Sequence, residues 1–198
     1  MSELGPDVDP FQLFLADRSR AETASEPWDS AACVLATVDA RGRPRARFVL
    51  SREVDPDGLC VFTNYESAKG HELAAHPFGA LTFHFVTVGV QWRFEGPMTR
   101  VPPERSDAYF ASRPRESQIG AWASAQSRPI ASRDALIEAV HEATKRFEGR
   151  PVPRPPHWGG YKLVPDVVER WVNGPHRLHD RWSFVREGDG WKVTRLSP

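Results

Sequence analysis

Between Val90 and Val101, Gln91, Arg93 and Glu95 alternate with Trp92 and Phe94. This is the period of two that turns one face of a strand toward a core and the other toward polar surroundings. Shorter apolar runs predict further strands over Cys33 to Val38, Pro44 to Val54, Leu59 to Thr63 and Ala80 to Val86. Turn chemistry separates the early ones, with Asp39-Ala40-Arg41-Gly42 after the first and Asp55-Pro56-Asp57-Gly58 after the second. Helical spacing interrupts the strands. Asp9-Pro10 caps and starts a helix to about Ser19, with Phe11, Phe14 and Leu15 on one face. Ser67 begins a short helix to about Ala75, and Glu104 to Ser112 reads as another. The clearest follows the cap Ser132, where Leu136, Val140, Ala143 and Phe147 form a stripe closed by Gly149. Residues 1–9 read as loose and Ala21 to Ser30 as connector. Pro151 to Pro156 is a proline-rich extended connector, and two or three strands then end the chain around Gly188-Asp189-Gly190.

Hairpins of short antiparallel strands with helices inserted between them predict a mainly β, α+β architecture: a barrel-like sheet with peripheral helices. The regular strand–helix alternation of a dinucleotide fold is missing, as are a G-x-G-x-x-G run and a P-loop. With no repeat and no boundary, 1–198 reads as one domain. The 26 basic and 26 acidic residues cancel, which argues against a general nucleic-acid binder. No apolar run approaches the roughly 18 residues of a membrane span, and Met1 to Asp7 lacks the charged and apolar regions of a secretory signal. Cys33 and Cys60 lie in apolar, strand-like runs and read as buried reduced thiols with no zinc spacing. A cytoplasmic protein is expected.

Chemistry concentrates in the second half. Ser112-Arg113-Pro114-Arg115-Glu116-Ser117-Gln118-Ile119-Gly120-Ala121-Trp122 is followed by Trp158-Gly159-Gly160-Tyr161 and then by Trp171-Val172-Asn173-Gly174-Pro175-His176-Arg177-Leu178-His179-Asp180-Arg181. A core does not call for such polar, glycine-punctuated runs. Arginine binds phosphate through a planar fork and tryptophan offers a flat apolar wall, so the runs suggest a site for a flat, phosphorylated, aromatic ligand. They resemble the pyridoxine (pyridoxamine) 5'-phosphate oxidases, and the resemblance extends from about Asp9 to Pro198.

That resemblance implies the split β-barrel of FMN-binding proteins and a homodimer. It implies FMN contacts from Arg47, Phe48, Val49 and Leu50, from Phe62 and Thr63, and from Lys69, Gln91, Gln126, Ser127, Trp171 and Arg181. Lys69 just inside a helix start also suits a dianion on physical grounds. For the phosphate of the B6 vitamer it implies Arg52, Tyr109, Arg113 and Ser117. Arg177 and His179 match the Arg-x-His pair that closes over the pyridine ring from the other subunit, so both bind substrate and both are catalytic candidates: Arg177 stands beside the reacting carbon, and His179 orients the ring or Arg177 rather than acting as a free base. The implied reaction is oxidation of pyridoxine or pyridoxamine 5'-phosphate to pyridoxal 5'-phosphate, with O2 as acceptor.

Two positions depart from the family. Arg52 stands where it usually has lysine, and Ala68-Lys69 where it has Arg-Lys. They leave open a related flavin oxidase of a specialised, phenazine-like pathway, or a flavin or B6-phosphate binder without turnover. Taken singly, Arg47, Lys69, Gln91 and Trp171 have plainer readings as surface or packing residues; their order along the chain is what favours a site. Arg115 reads equally well as an outward ion-pairing residue, and Trp122 as packing. His176 and His179 lack a third metal ligand nearby, so no metal site is expected. Ser117, His179 and Asp180 lack a nucleophile elbow, which disfavours a hydrolase triad.

Overall fold

The computed structural model describes residues 8–198. The expected loose start lies, for residues 1–7, outside the described residues. Val8 packs on the core and the Asp9 carboxylate accepts from the Phe11 amide at 2.9 Å, so these two belong to the fold. Helix α1 (Pro10–Thr23) runs one turn past the predicted end, because Ala21 is fully buried and Arg18 pairs with Glu22. Leu15 is 40% exposed, whereas Asp17 occupies the buried turn at 3%. The Asp17 carboxylate accepts from Trp92 Nε1 at 3.1 Å and Arg170 Nε at 2.7 Å. α1 is therefore held to the sheet by a buried ion pair as well as by apolar contact, and removing one partner of such a pair costs about 3–5 kcal/mol.

Ten strands form one sheet: β1 (Ala32–Val38), β2 (Pro44–Leu50), β3 (Glu53–Asp55), β4 (Gly58–Asn64), β5 (Phe78–Phe85), β6 (Val90–Arg100), β7 (Trp158–Leu163), β8 (Val167–Val172), β9 (Asp180–Glu187) and β10 (Gly190–Leu196). Every ladder among the described residues is antiparallel. The long strand β6 organises them. One edge pairs with β5, and the other pairs first with β8 over Val90–Glu95 and then with β7 over Met98–Arg100. Because β7 also pairs with β4, the sheet curls into the expected split barrel. The alternation read in β6 is observed, with Trp92 and Phe94 buried and Gln91, Arg93 and Glu95 half-buried.

Two strand expectations are corrected. The run Pro44 to Val54 is two strands, broken at Ser51-Arg52. Four strands, not two or three, follow the proline-rich connector. β10 is the sheet's last strand and buries none of its residues, so its hydrophobic alternation is weak.

The main core lies under α1, where Phe11, Phe14, Phe83, Trp92, Phe94 and Phe184 interlock. Each such side chain contributes about 1.5–3 kcal/mol on full burial. A second cluster joins Trp158 to three helices: α3 (Pro103–Ser112), α4 (Arg115–Ala123) and α5 (Arg133–Arg146). The run containing α4 looked too polar for a core, yet Ile119 is buried in this cluster and Arg115 donates to the carbonyls of Phe147 at 2.6 Å and Arg150 at 3.0 Å. Arg115 thus closes the end of α5 and does not form the outward ion pair considered from sequence. Trp122 packs on Phe147, as its plainer reading expected. Helix α2 (Ala68–Ala75) begins at the predicted cap, where Ser67 Oγ accepts from the Gly70 amide. Both cysteines are buried and free. Burial pushes the Cys33 thiol up to about 12 and that of Cys60 to about 11, which leaves both unreactive.

Candidate functional site

A cavity of about 680 Å³ opens between the sheet and the helices of the second cluster. β2 supplies Phe48, Val49 and Leu50, and the short link from β2 to β3 supplies Arg52. The end of β4 supplies Phe62, Thr63 and Asn64; α2 supplies Lys69; α3 and α4 supply Tyr109 and Ser117, with Arg113 between them. Gln126 and Trp158 complete the wall. Eleven of the residues picked from sequence therefore meet in one cavity: Phe48, Val49, Leu50, Arg52, Phe62, Thr63, Lys69, Tyr109, Arg113, Ser117 and Gln126.

Local structure explains the cavity's two surfaces. On the apolar side Phe62 and Tyr109 stack at 3.8 Å between ring centroids, 4° from parallel, and Trp158 lies 5.8 Å from Phe62 at 14°. The two glycines after Trp158 make room for this. A Cβ on Gly160 would come within 2.7 Å of the Phe62 ring, and one on Gly159 within 2.1 Å of the Tyr65 hydroxyl. On the polar side Lys69 Nζ donates to Gln126 Oε1 at 2.8 Å, Ser67 Oγ at 3.2 Å and Thr63 Oγ1 at 3.2 Å. Burial, reinforced by the nearby Arg47 charge, pushes the Lys69 ammonium below the usual lysine range.

Arg113 is the most telling residue. Its guanidinium lies 4.7 Å over the Trp158 ring and 5.5 Å from that of Phe110. Its Nη1 is buried with no hydrogen-bond partner among the described residues, and burial lowers its pKa. An unpaired buried donor costs about 1–3 kcal/mol, more when charged. An anion in the cavity would meet the charges of Arg113 and Lys69, both of which line it. These donors beside a flat aromatic wall fit the phosphates and planar rings of FMN and of a B6 vitamer.

A second set of predicted residues gathers elsewhere. Gln91 is the cross-strand partner of Trp171, and Trp171 that of Arg181. The His179 ring stands 4.4 Å from the Trp171 ring. Arg181 Nε donates to Glu169 at 2.8 Å. Arg177 is exposed on the single-turn helix Pro175–Arg177 that joins β8 to β9. Neither this set nor Ser127, a left-handed residue beside Gln126, lines the cavity in one copy. Arg47 belongs to neither group. Its guanidinium is turned to the buried Glu72, at 2.6 Å, and to Thr37, at 2.5 Å, and so braces β2 against α2. Sequence reasoning missed Asn64, Ser124 and the wall role of Trp158. Trp158 sat inside a quoted run, but only folding sets it on the same cavity as Asn64.

A curled antiparallel sheet with a cation-bearing aromatic cavity at its rim defines the class: a split β-barrel of the FMN-binding kind. Residues 20–147 match the family model described as pyridoxamine 5'-phosphate oxidase. Residues 158–198 match the pyridoxine 5'-phosphate oxidase C-terminal dimerisation region. A pyridoxine/pyridoxamine 5'-phosphate oxidase of Anaeromyxobacter dehalogenans is 50% identical over 190 residues, 96% of each chain. One from Myxococcus xanthus is 46% identical over 192 residues, covering 96% of this chain and 92% of its own. Among solved structures, PhzG from Burkholderia lata, in complex with tetrahydrophenazine-1-carboxylic acid, aligns with a TM-score of 0.89 at 29% identity, over 98% of this chain and 94% of its own. A pyridoxamine 5'-phosphate oxidase-related, FMN binding protein from Nostoc punctiforme shares the fold, with a TM-score of 0.75 at 19% identity over the full length of both chains. The chain belongs to the pyridoxine/pyridoxamine 5'-phosphate oxidase family. No helix among the described residues is long and apolar enough to cross a membrane.

Proposed function

We propose that the protein is an FMN-dependent oxidase that converts pyridoxine or pyridoxamine 5'-phosphate to pyridoxal 5'-phosphate. The observation that carries this reading is the Arg113 guanidinium laid over the aromatic wall of the cavity, in a chain half identical to enzymes of that name.

Lys69, Thr63 and Gln126 take the flavin phosphate, while Phe48, Val49 and Leu50 present a strand to the ring system, with Phe62 beside it. Arg47 acts through its pair with Glu72, which fixes β2 and α2 around that phosphate. Arg113, Tyr109, Ser117 and Arg52 take the substrate phosphate. Trp171, Arg181, Gln91 and Ser127 complete the flavin site, and Arg177 and His179 close over the pyridine. Since that second set does not line the cavity of its own copy, a homodimer that brings the two sets together is part of the proposal. The ladders joining β4 and β6 to β7 and β8 support one domain over 1–198. Buried free thiols suit the cytoplasm.

FMN, when bound, would supply the two-electron chemistry between the substrate's exocyclic carbon and O2, which leaves as hydrogen peroxide; from the amine substrate the oxidised carbon is an imine, which water hydrolyses to the aldehyde with release of ammonia. The protein's residues bind and orient the substrate. Holding the phosphate at one end of the pyridine and stacking its face fixes the reacting carbon in place, which removes orientational entropy from the barrier. The Arg177 cation stabilises the charge redistribution as hydrogen leaves.

Oxygen uptake by the FMN-loaded protein with pyridoxine and pyridoxamine 5'-phosphates tests the reading, together with light scattering for the dimer. Uptake with either vitamer phosphate and stoichiometric hydrogen peroxide is expected. Uptake with neither, from protein carrying full FMN, would overturn the substrate and turn attention to Arg52. A monomer with full FMN would overturn the shared site.

A further inference from the structure

The loop from Asn173 to His179 has unusual backbone chemistry. His176 and Arg177 are consecutive non-glycine residues in the left-handed region, at φ 54° and 63°. Such a backbone conformation is strained for a residue with a side chain and persists where its surroundings over-determine it. Here three contacts do so. The Asn173 amide donates to the Gly89 carbonyl at 2.8 Å, and the Leu178 amide to the Pro175 carbonyl at 3.0 Å. The Leu178 carbonyl then approaches so closely that a Cβ on Gly174 would lie 2.0 Å from it. The chain is thereby folded back until the Gly174 amide faces the imidazole of His179, and Gly174 N lies 3.2 Å from Nδ1.

A backbone N–H can only donate. The His179 nitrogen that receives it must therefore carry a lone pair and no proton. In a neutral imidazole the proton is then on Nε2. The adjacent carboxylate does not compete, because Asp180 is paired with Arg195, and no carboxylate among the described residues is bonded to His179. The ring's remaining freedom is limited by Trp171, 4.4 Å away at 42°. Nδ1 is thus engaged, and Nε2–H is the edge left for a ligand.

We infer that the Gly174 backbone amide is a positioning group that locks His179 as its Nε2–H tautomer, so that His179 meets the bound substrate as a hydrogen-bond donor and not as a proton-abstracting base. The inference rests on the oxidase reading for its substrate, but the tautomer is a property of this loop. It also gives the left-handed pair a purpose: the same reversal that presents Arg177 outward returns His179 to the amide of residue 174.

Two measurements test it. The first is long-range proton–nitrogen correlation on FMN-loaded protein labelled with 15N-histidine, in mildly alkaline buffer, with His179 assigned by its loss in His179→Gln. A bare Nδ1 and a protonated Nε2 are expected. A protonated Nδ1, or a fast mixture of tautomers, overturns the lock. This readout needs no turnover, so failure of the oxidase reading is seen separately, in oxygen uptake. The second compares His179→Gln, whose amide nitrogen reaches the Nε2 position, with His179→Asn, whose amide reaches only the Nδ1 position. Both variants lose kcat, and the Asn variant is expected to lose about tenfold more, the equivalent of one charge-neutral hydrogen bond. Equal losses, or a larger loss in the Gln variant, overturn the donor role.

Discussion

Replacing Arg113 with alanine should separate the two ligands that share the cavity. Its guanidinium rests on Trp158 and Phe110, and its Nη1 has no partner among the described residues. A substrate phosphate there gains a charge-assisted hydrogen bond of about 1.5–3 kcal/mol. Loss of that bond weakens binding roughly 10- to 150-fold. Stability should not fall sharply. The variant loses a cation–ring contact of about 0.5–2 kcal/mol. It also sheds the about 1–3 kcal/mol penalty of an unpaired buried donor. The net runs from a loss of about 1 kcal/mol to a gain of about 2.5 kcal/mol, so no large loss of stability is expected. The assay is calorimetric titration of FMN-loaded protein with pyridoxal 5'-phosphate, beside titration of the apoprotein with FMN and a thermal melt. The expected pattern is a large loss for the phosphorylated pyridine, an FMN affinity within about threefold of wild type, and no large fall in melting point, since Lys69 and not Arg113 sits among the proposed flavin-phosphate donors. Equal losses for both ligands would place Arg113 at the flavin phosphate, and a collapse in melting temperature would make it a structural residue.

Lys69 has an ammonium held below the usual lysine range by burial. A bound phosphate favours its charged form and raises that pKa, so FMN binding takes up a proton between the two values. FMN affinity should be full below the unliganded value and fall as pH rises through it toward the liganded one. Lys69→Met should weaken FMN and flatten this alkaline slope; an unchanged slope would put the titrating group elsewhere. Arg177→Ala should lower kcat more than it raises KM, with FMN content near wild type, because its cation acts on the transition state. Steady-state kinetics with a normal kcat and only a raised KM would make it a binding residue. Glu72→Leu leaves the Arg47 guanidinium without its carboxylate, and denaturant unfolding should show a loss of about 3 kcal/mol. A loss below about 1 kcal/mol would mean that Arg47 finds another partner.

What the sequence alone determined was what local chemistry encodes. Alternation marked β6, Ser67 and Ser132 marked helix starts, and three polar runs marked the family and with it the barrel. Asp17 was illegible because hydrophobic periodicity assigns a carboxylate to the surface, and only packing brings Arg170 and the Trp92 indole to it from 153 and 75 residues away. α4 was illegible because one buried residue, Ile119, gives no stripe. The tertiary structure alone decided how the site residues are shared out. Eleven of them meet in one cavity, Arg47 turns to Glu72, and the set around Trp171 lies on strands β6, β8 and β9. A motif fixes which residue types are present and in what order. The curl of the sheet and the charges already engaged across it fix where each side chain points, and both depend on contacts between segments far apart in the chain.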